Sequence, residues 1–435
     1  MGLVGGCSSP RTETTQNLAY KYRDDAPGLR PVVSVYHPTA DSTWIRLVLD
    51  RSDLLYKTES VGADFRALIE VHYRFLSGVN EALVDSGTLK FADYKAGVDG
   101  GRLQFEWGLR KPTGAEEPFA VSLYIRDPQR GSEAQAKARI DWSDPQNRQY
   151  FRLREIPDNR WNEMPWVRSG TAYGLECGQC PEQMFVRCFG KEYPLATPPF
   201  ASNESGSFDF KGDSIGVLRR TDTLLFARQG LYHFQSDSSL LSGFTAFAFG
   251  PDFPKLSLRT ELAPPLRYLT TKKEYEALTE SGNPDSIKRE VDRFWLKIGG
   301  SPDRARTLIE AFYRRVEEAN ERFTSYTPGW RTDRGILYVV YGPPDEVIEE
   351  PGRERWVYGS RQSALSYAFE FIRVENPFTE QDYSMVRLAD HRYGWQQAIA
   401  GWRSGKVYGS ADIKREQDAR DAQLRIQRQS PGFWY

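Results

Sequence analysis

Asp333, Asp345 and Glu346 are the carboxylates of this 435-residue sequence whose setting invites a chemical reading. They flank short apolar runs in the last third of the chain, where the ends of strands could bring acidic groups together. Two carboxylates facing each other across roughly 5–9.5 Å can hydrolyse a glycosidic bond, and convergent ones can hold a metal ion. The sequence supplies no companion for that chemistry. No histidine, serine or cysteine nucleophile arrangement accompanies them, and short acidic side chains are ordinary turn residues that accept backbone N–H bonds. The expectation is a protein with no catalytic residue, with a carboxylate-dependent hydrolase as the alternative.

The sulfur and imidazole groups lead to the same place. Cys177 and Cys180 enclose Gly178-Gln179 and are candidates for a local disulfide if the chain is exported, or inert thiols if it is not. Zinc wants four ligands, whereas Cys188 brings the clustered thiols to three and His37, His72, His233 and His391 lack finger-like spacing, so no metal is expected. No dinucleotide or Walker loop is present, and no cofactor is expected. Lys and Arg number 58 against 59 Asp and Glu, which removes the positive field that nucleic-acid binding requires. Tyr20, Trp161, Trp166, Trp395 and Trp402 could stack on sugars or on a partner, although most of the 11 tryptophans must serve as core.

Cys7 is a candidate for a different chemistry. Val4-Gly5-Gly6-Cys7 has the order of a bacterial lipobox, and a polar tract from Ser8 to Gln16 follows it as a tether. Met1 to Gly6 has neither a basic n-region nor an apolar h-region, so this reading requires a longer signal peptide upstream. Residues 1–30 are read as lipobox remnant and tether.

The elements that must position these residues follow from periodicity. Ala67, Ile69, Val71, Tyr73 and Phe75 alternate with polar neighbours, as do Leu103 to Leu109, Phe119 to Ile125 and Ile45 to Leu49, which predicts half-buried strands. Turn-rich segments separate them, and an antiparallel β-sandwich over 31–130 follows. Further strands with Gly-, Ser- and Pro-rich connections predict a second β domain over 131–262. Near residue 265 the pattern changes. Thr271 with Glu274 forms a capping box, and Asn283-Pro284 and Ser301-Pro302 each pair an N-cap with proline at the first helical position, predicting three helix starts. Strands return over 336–341, 356–358 and 367–373, then a helix over 391–403, making an α+β domain of 265–410. A polar tail, 411–435, ends on Phe433-Trp434-Tyr435.

A specific set of residues in that last domain carries a resemblance. Gly329-Trp330-Arg331-Thr332-Asp333 with Gly335, the run to Tyr341, and Gly342-Pro343-Pro344-Asp345-Glu346 together resemble the GWxTD domain of bacterial proteins. Asn17-Leu18-Ala19-Tyr20 and Asp53-Leu54-Leu55-Tyr56 resemble family members that begin as lipoproteins. The resemblance implies an envelope location, as an outer-membrane lipoprotein, and supplies no catalytic residues. Physically, Gly329 and Gly335 suit a tight corner, Trp330 a plug between helix and sheet, Thr332 and Asp333 a turn bonded to nearby N–H groups, and Arg331 or Arg334 a partner for Asp333. The functional expectation is a non-catalytic, lipid-anchored envelope protein. Its β domains would hold the C-terminal domain away from the membrane to bind another envelope protein or a surface polymer. A carbohydrate-binding accessory role is a further alternative.

Overall fold

Period-two patterning builds the first layer because successive side chains leave a strand on opposite faces. The computed structural model describes residues 17–23, 28–58, 64–95, 101–114, 117–162, 164–190, 194–201, 210–280 and 282–429; Cys7 and Phe433-Trp434-Tyr435 lie outside the described residues. The chain forms β1 (Val32–Thr39), β2 (Ser42–Asp50), β3 (Phe65–Ser77), β4 (Ala82–Lys95), β5 (Arg102–Arg110), β6 (Phe119–Asp127) and β7 (Ser132–Ile140). They make two antiparallel sheets, ordered β1-β2-β5 and β4-β3-β6-β7. Ile45, Leu47 and Leu49 of β2 bury against Ala67, Ile69 and Val71 of β3 and Val121, Leu123 and Ile125 of β6, which is the packing of a sandwich. The expected division after residue 130 needs correcting. It falls inside the β6–β7 hairpin, where Asp127 pairs with Ser132, so β7 completes the first sandwich.

The second β region runs through β8 (Phe151–Glu155), β9 (Arg160–Trp161), β10 (Ala172–Cys177), β11 (Gln183–Phe189), β12 (Ser214–Arg219), β13 (Thr223–Leu225), β14 (Gly230–Gln235) and β15 (Phe244–Ala248). Its sheets are ordered β13-β10-β8-β9 and β12-β11-β14-β15. Phe151, Leu153, Tyr173, Leu175 and Phe234 belong to the same buried cluster as the first sandwich, so the two β regions share one core. Cys177 and Cys180 are joined by a disulfide. The turn it closes lies directly on β1: the Gly178 N–H donates to the Tyr150 carbonyl at 2.9 Å, and a Cβ on Gly178 would overlap the His37 and Pro38 carbonyls. Cys188 on β11 is a free, half-buried thiol.

Helices open the last third: α1 (Lys272–Thr279), α2 (Pro284–Gly299), α3 (Pro302–Phe323) and α4 (Asp333–Tyr341). Thr271 accepts from the Glu274 N–H, Asn283 from Asp285 and Ser286, and Ser301 from Arg304, so the first three begin where their capping residues indicate. On α3, Ala305, Leu308, Phe312, Val316, Ala319 and Phe323 are buried at three- and four-residue steps. An antiparallel sheet follows in the order β16 (Glu346–Glu350), β17 (Arg353–Val357), β18 (Ala368–Arg373) and β19 (Tyr383–Met385). Helices α5 (His391–Arg403) and α6 (Ser410–Gln429) end the described chain.

One element contradicts its sequence pattern. Residues 336–341 read as a strand, yet they are the body of α4, with every residue from Asp333 to Tyr341 buried. A helix buried on all sides shows no amphipathic period, so its β-branched and aromatic residues mimic a strand. Thr332 caps its start by accepting the Gly335 N–H, and the buried Arg315 guanidinium donates to the Val339 and Val340 carbonyls at 3.3 Å near its end. A cation at that pole complements the helix dipole.

The polar tail also acquires a position. Ile413 and Gln417 of α6 are buried, and the Gln417 amide accepts from the Ser360 N–H at 2.8 Å while donating to the Leu365 carbonyl at 2.9 Å. Ile413→Ala is therefore expected to cost about 2–5 kcal/mol in chemical denaturation of the full chain. A change within error would mean that α6 is not docked.

Candidate functional site

The GWxTD corner is built from backbone pressed on backbone. Gly329 sits where a Cβ would overlap the Ala319 carbonyl of α3, and Gly335 where a Cβ would overlap the Gly329 carbonyl. Only glycine permits that approach. Trp330 is buried, packs edge-on to Tyr268 at 6.4 Å between ring centres, and its N–H donates to the Asn320 side chain at 3.3 Å. The Thr332 hydroxyl donates to the Gly329 carbonyl at 2.8 Å and accepts from the Gly335 N–H at 3.1 Å, which joins the corner to the first turn of α4.

The acidic residues do not assemble into an acid pair. Asp333 accepts from the Met385 N–H at 2.7 Å and pairs with Arg387 at 2.5 Å. Arg387, on the segment after β19, replaces the expected Arg331 or Arg334 as its partner. Asp345 pairs with Arg23 at 2.7 Å and accepts from the Gly359 N–H at 2.7 Å, while Glu346 pairs with Arg361. Three carboxylates are thus held by three separate arginines, and the hydrolase alternative loses the groups it depended on. Gly342 takes a positive φ of 83° at the exit of α4, directly against the Arg315 guanidinium, and its carbonyl accepts from Tyr358 at 3.0 Å before Pro343 and Pro344 lead into β16. Tyr341 is enclosed by Tyr358, Tyr367, Phe369, Trp395 and Tyr408.

Two distant segments converge on this corner; nothing in the sequence marks the first, and the second carries a family resemblance at Asn17 to Tyr20 but no sign of what it contacts. The first is the stretch 194–201, which leaves the second β region and crosses to the helices. The Ala196 N–H donates to the Arg331 carbonyl at 3.0 Å, Arg387 donates to the Thr197 carbonyl at 3.2 Å, and the Leu388 N–H to the Pro199 carbonyl at 3.2 Å.

The second is the N-terminal strap, residues 17–23. The Leu18 N–H donates to the Val347 carbonyl at 2.9 Å, and the Val347 N–H to the Asn17 side chain at 3.0 Å, covering the free edge of β16. Lys21 pairs with Glu349 at 2.8 Å. Tyr22 inserts its ring against Phe323 and Trp356, with centres 5.2 and 5.3 Å away. Its hydroxyl donates at 2.5 Å to Glu354, a buried carboxylate that also accepts from Trp356 Nε1 at 2.7 Å and pairs with Arg334 at 2.9 Å. Burial, and then the Glu354 charge, push the Tyr22 phenol well above its ordinary range, so it stays a proton donor.

The candidate stacking aromatics divide. Trp402, Trp395 and Trp166 are buried and belong to cores. Trp161 lies under the Arg152 guanidinium, 3.5 Å from its ring centre. Tyr20 is half-buried on the strap. Beside Trp395, an open groove of about 620 Å³ is lined by Phe200, Tyr268, Ile399 and Arg403. Among the described residues no cluster of three or more His, Cys, Asp or Glu could hold a metal ion.

An α+β domain organised around a glycine-tight corner, with its acids locked to arginines, defines a packing motif. Residues 230–404 match the family described as the GWxTD domain, so this chain contains a GWxTD domain. The matched span opens at Gly230, inside the preceding β sheet. No curated protein matches the chain. Among solved structures it is similar to a glycosyl hydrolase family 2 member from Bacteroides cellulosilyticus DSM 14838, at 10% identity over 27% of this chain and 15% of that one, with a TM-score of 0.17. It is also similar to a candidate beta-galactosidase from Bacteroides fragilis, at 9% identity over 34% of this chain and 18% of that one, with a TM-score of 0.17. The chain therefore spans less than two thirds of the length of either protein.

Two substitutions check this description. Trp330→Ala should lower unfolding free energy by about 3–5 kcal/mol, as loss of a buried aromatic; wild-type stability in urea would overturn the packing role. Tyr22→Phe removes one bond to a buried carboxylate and should cost about 1.5–3 kcal/mol. If Tyr22→Phe unfolds like the wild type, the strap does not hold Glu354 in solution.

Proposed function

We propose that this chain is a lipid-anchored protein of the bacterial envelope, placed at the outer membrane, that works by binding and not by catalysis, and that its GWxTD domain is the part held beside the membrane. The observation that carries this reading is the strap. Asn17 to Arg23 are fastened to β16 and Glu354, and Cys7, the candidate lipid acceptor, precedes Asn17 by ten residues. Ten residues reach at most roughly 33–36 Å, so a lipid on Cys7 would keep the GWxTD domain within that distance of the bilayer. In this reading the spacer arrangement expected from chain order, with the β domains nearest the membrane, gives way to one in which the GWxTD domain lies nearest it. Among the described residues no helix is long and apolar enough to cross a membrane, so attachment in this reading rests on the lipid.

The groove beside Trp395 and the outward β regions supply surfaces for an envelope protein or surface polymer, and nothing in the charge balance favours nucleic acid. The test is metabolic labelling with an alkyne fatty acid in a bacterium expressing the gene with its upstream in-frame sequence. The wild-type protein is expected to take up label and sediment with membranes, and Cys7→Ser to do neither. A mature wild-type protein that is soluble and unlabelled would sink the proposal.

A further inference from the structure

A polar cleft of about 390 Å³ lies at the seam between the β regions and the GWxTD domain. One wall is the β7–β8 connection carrying Asp141 and Arg148, the other is the end of β18 and the connection after it, carrying Arg373, Glu375, Thr379 and Glu380; Arg139 and Ser242 lie on the rim. Both walls are internally braced. The Gln149 amide donates to the Arg139 carbonyl at 2.8 Å and accepts from the Asp141 N–H at 2.9 Å, and the buried His37 ring lies 3.0 Å from the same Gln149 oxygen. Across the cleft, Asn376 accepts from the Phe378 and Thr379 N–H groups at 3.0 Å and donates to Asp382 at 2.9 Å. The amides lining the cleft are therefore occupied in holding its shape.

Arg139 pairs with Asp141 at 3.0 Å, whereas the guanidinium groups of Arg148 and Arg373 are less engaged. Arg148 makes one hydrogen bond, from Nη2 to the Asn376 carbonyl at 3.0 Å, and no ion pair among the described residues. The Arg373 side chain makes neither a hydrogen bond nor an ion pair among the described residues; its backbone alone is engaged, at Tyr383 of β19 and at Gly352. Burial pulls the Arg148 guanidinium below its ordinary range; Glu380 offsets part of this, and the charge of Arg373 adds to it. Arg148 and Arg373 thus line one cleft from separate domains, neither in an ion pair among the described residues, with Asp141, Glu375 and Glu380 lining it as well.

We propose that this cleft binds a small oxyanion-bearing ligand, a carboxylate or a phosphate, held between Arg148 of the β regions and Arg373 of the GWxTD domain. Planar guanidinium forks match the paired oxygens of such a group and bind them bidentately. The volume falls within the ~300–1,000 Å³ of small-molecule sites, and the wall of arginines, carboxylates, amides and hydroxyls suits a polar ligand. Because the two arginines belong to different domains, occupancy fastens the seam, and binding raises the stability of the whole chain by mass action.

The test is calorimetric titration and thermal unfolding of the full chain with inorganic phosphate and, separately, with D-glucuronate, ionic strength being matched with sodium chloride. Saturable binding and a concentration-dependent rise in Tm are expected for at least one probe. Phosphate alone assigns a phosphorylated ligand, and glucuronate alone a carboxylate one. R373Q should weaken that binding at least about tenfold, the value of one charged hydrogen bond, and R148Q should abolish it, while R293Q on the exposed face of α2 leaves it unchanged. The Arg373 side chain holds nothing inside the protein, so R373Q reads the ligand without disturbing the fold. No saturable binding of either probe beyond the chloride control, or wild-type binding by R373Q, overturns the proposal.

Discussion

The contact on which the C-terminal domain depends is the approach of two glycine backbones to carbonyl groups. Gly329 lies on the Ala319 carbonyl of α3, and Gly335 lies on the Gly329 carbonyl. Any side chain at either place would push the corner away from α3, and α4 would leave its slot between α3 and the sheet. That slot determines the rest. With α4 enclosed, its C-terminal carbonyls become available to Arg315 and to the Trp402 ring N–H, and α5 is drawn onto the same helix. The residues between the glycines serve the same end: Trp330 fills the space beside Tyr268, Thr332 starts α4, and Asp333 binds the segment after β19.

Burying Glu354 is the second commitment. A carboxylate removed from water is costly unless its lone pairs are satisfied, and here Arg334, Trp356 and Tyr22 satisfy them. Tyr22 comes from a part of the chain more than 300 residues earlier, so the domain that is last in sequence is completed by the segment that is first. The strap also covers the open edge of β16. Sequence order and spatial order therefore disagree.

Much of this architecture was legible beforehand. The strands β3, β5 and β6 alternate because one face of each is more buried than the other, β2 alternates in sequence although Arg46 and Val48 on its second face are buried too, and Thr271, Asn283 and Ser301 mark helix starts through bonds made within three residues. The pattern failed where burial is not one-sided. β4 carries little apolar alternation and owes its place to pairing with β3, whereas β7 alternates only through the small side chains Ala134, Ala136 and Ala138 before Ile140 and pairs with β6. Residues 336–341 are buried all round, which erases the period that would have told helix from strand, although Thr332 before them and Gly342 after them are the caps of a helix.

Sequence by itself determined the elements whose signals are local: alternating strands, capped helices, the glycines of the corner and the membership of the GWxTD domain. Only the tertiary structure decided the pairings. That Asp333 meets Arg387, Asp345 meets Arg23 and Tyr22 meets Glu354 follows from how the layers stack, because an ion pair between distant segments leaves no mark on the spacing of either. The same holds for Arg148 and Arg373, which are unremarkable until folding places them across one cleft.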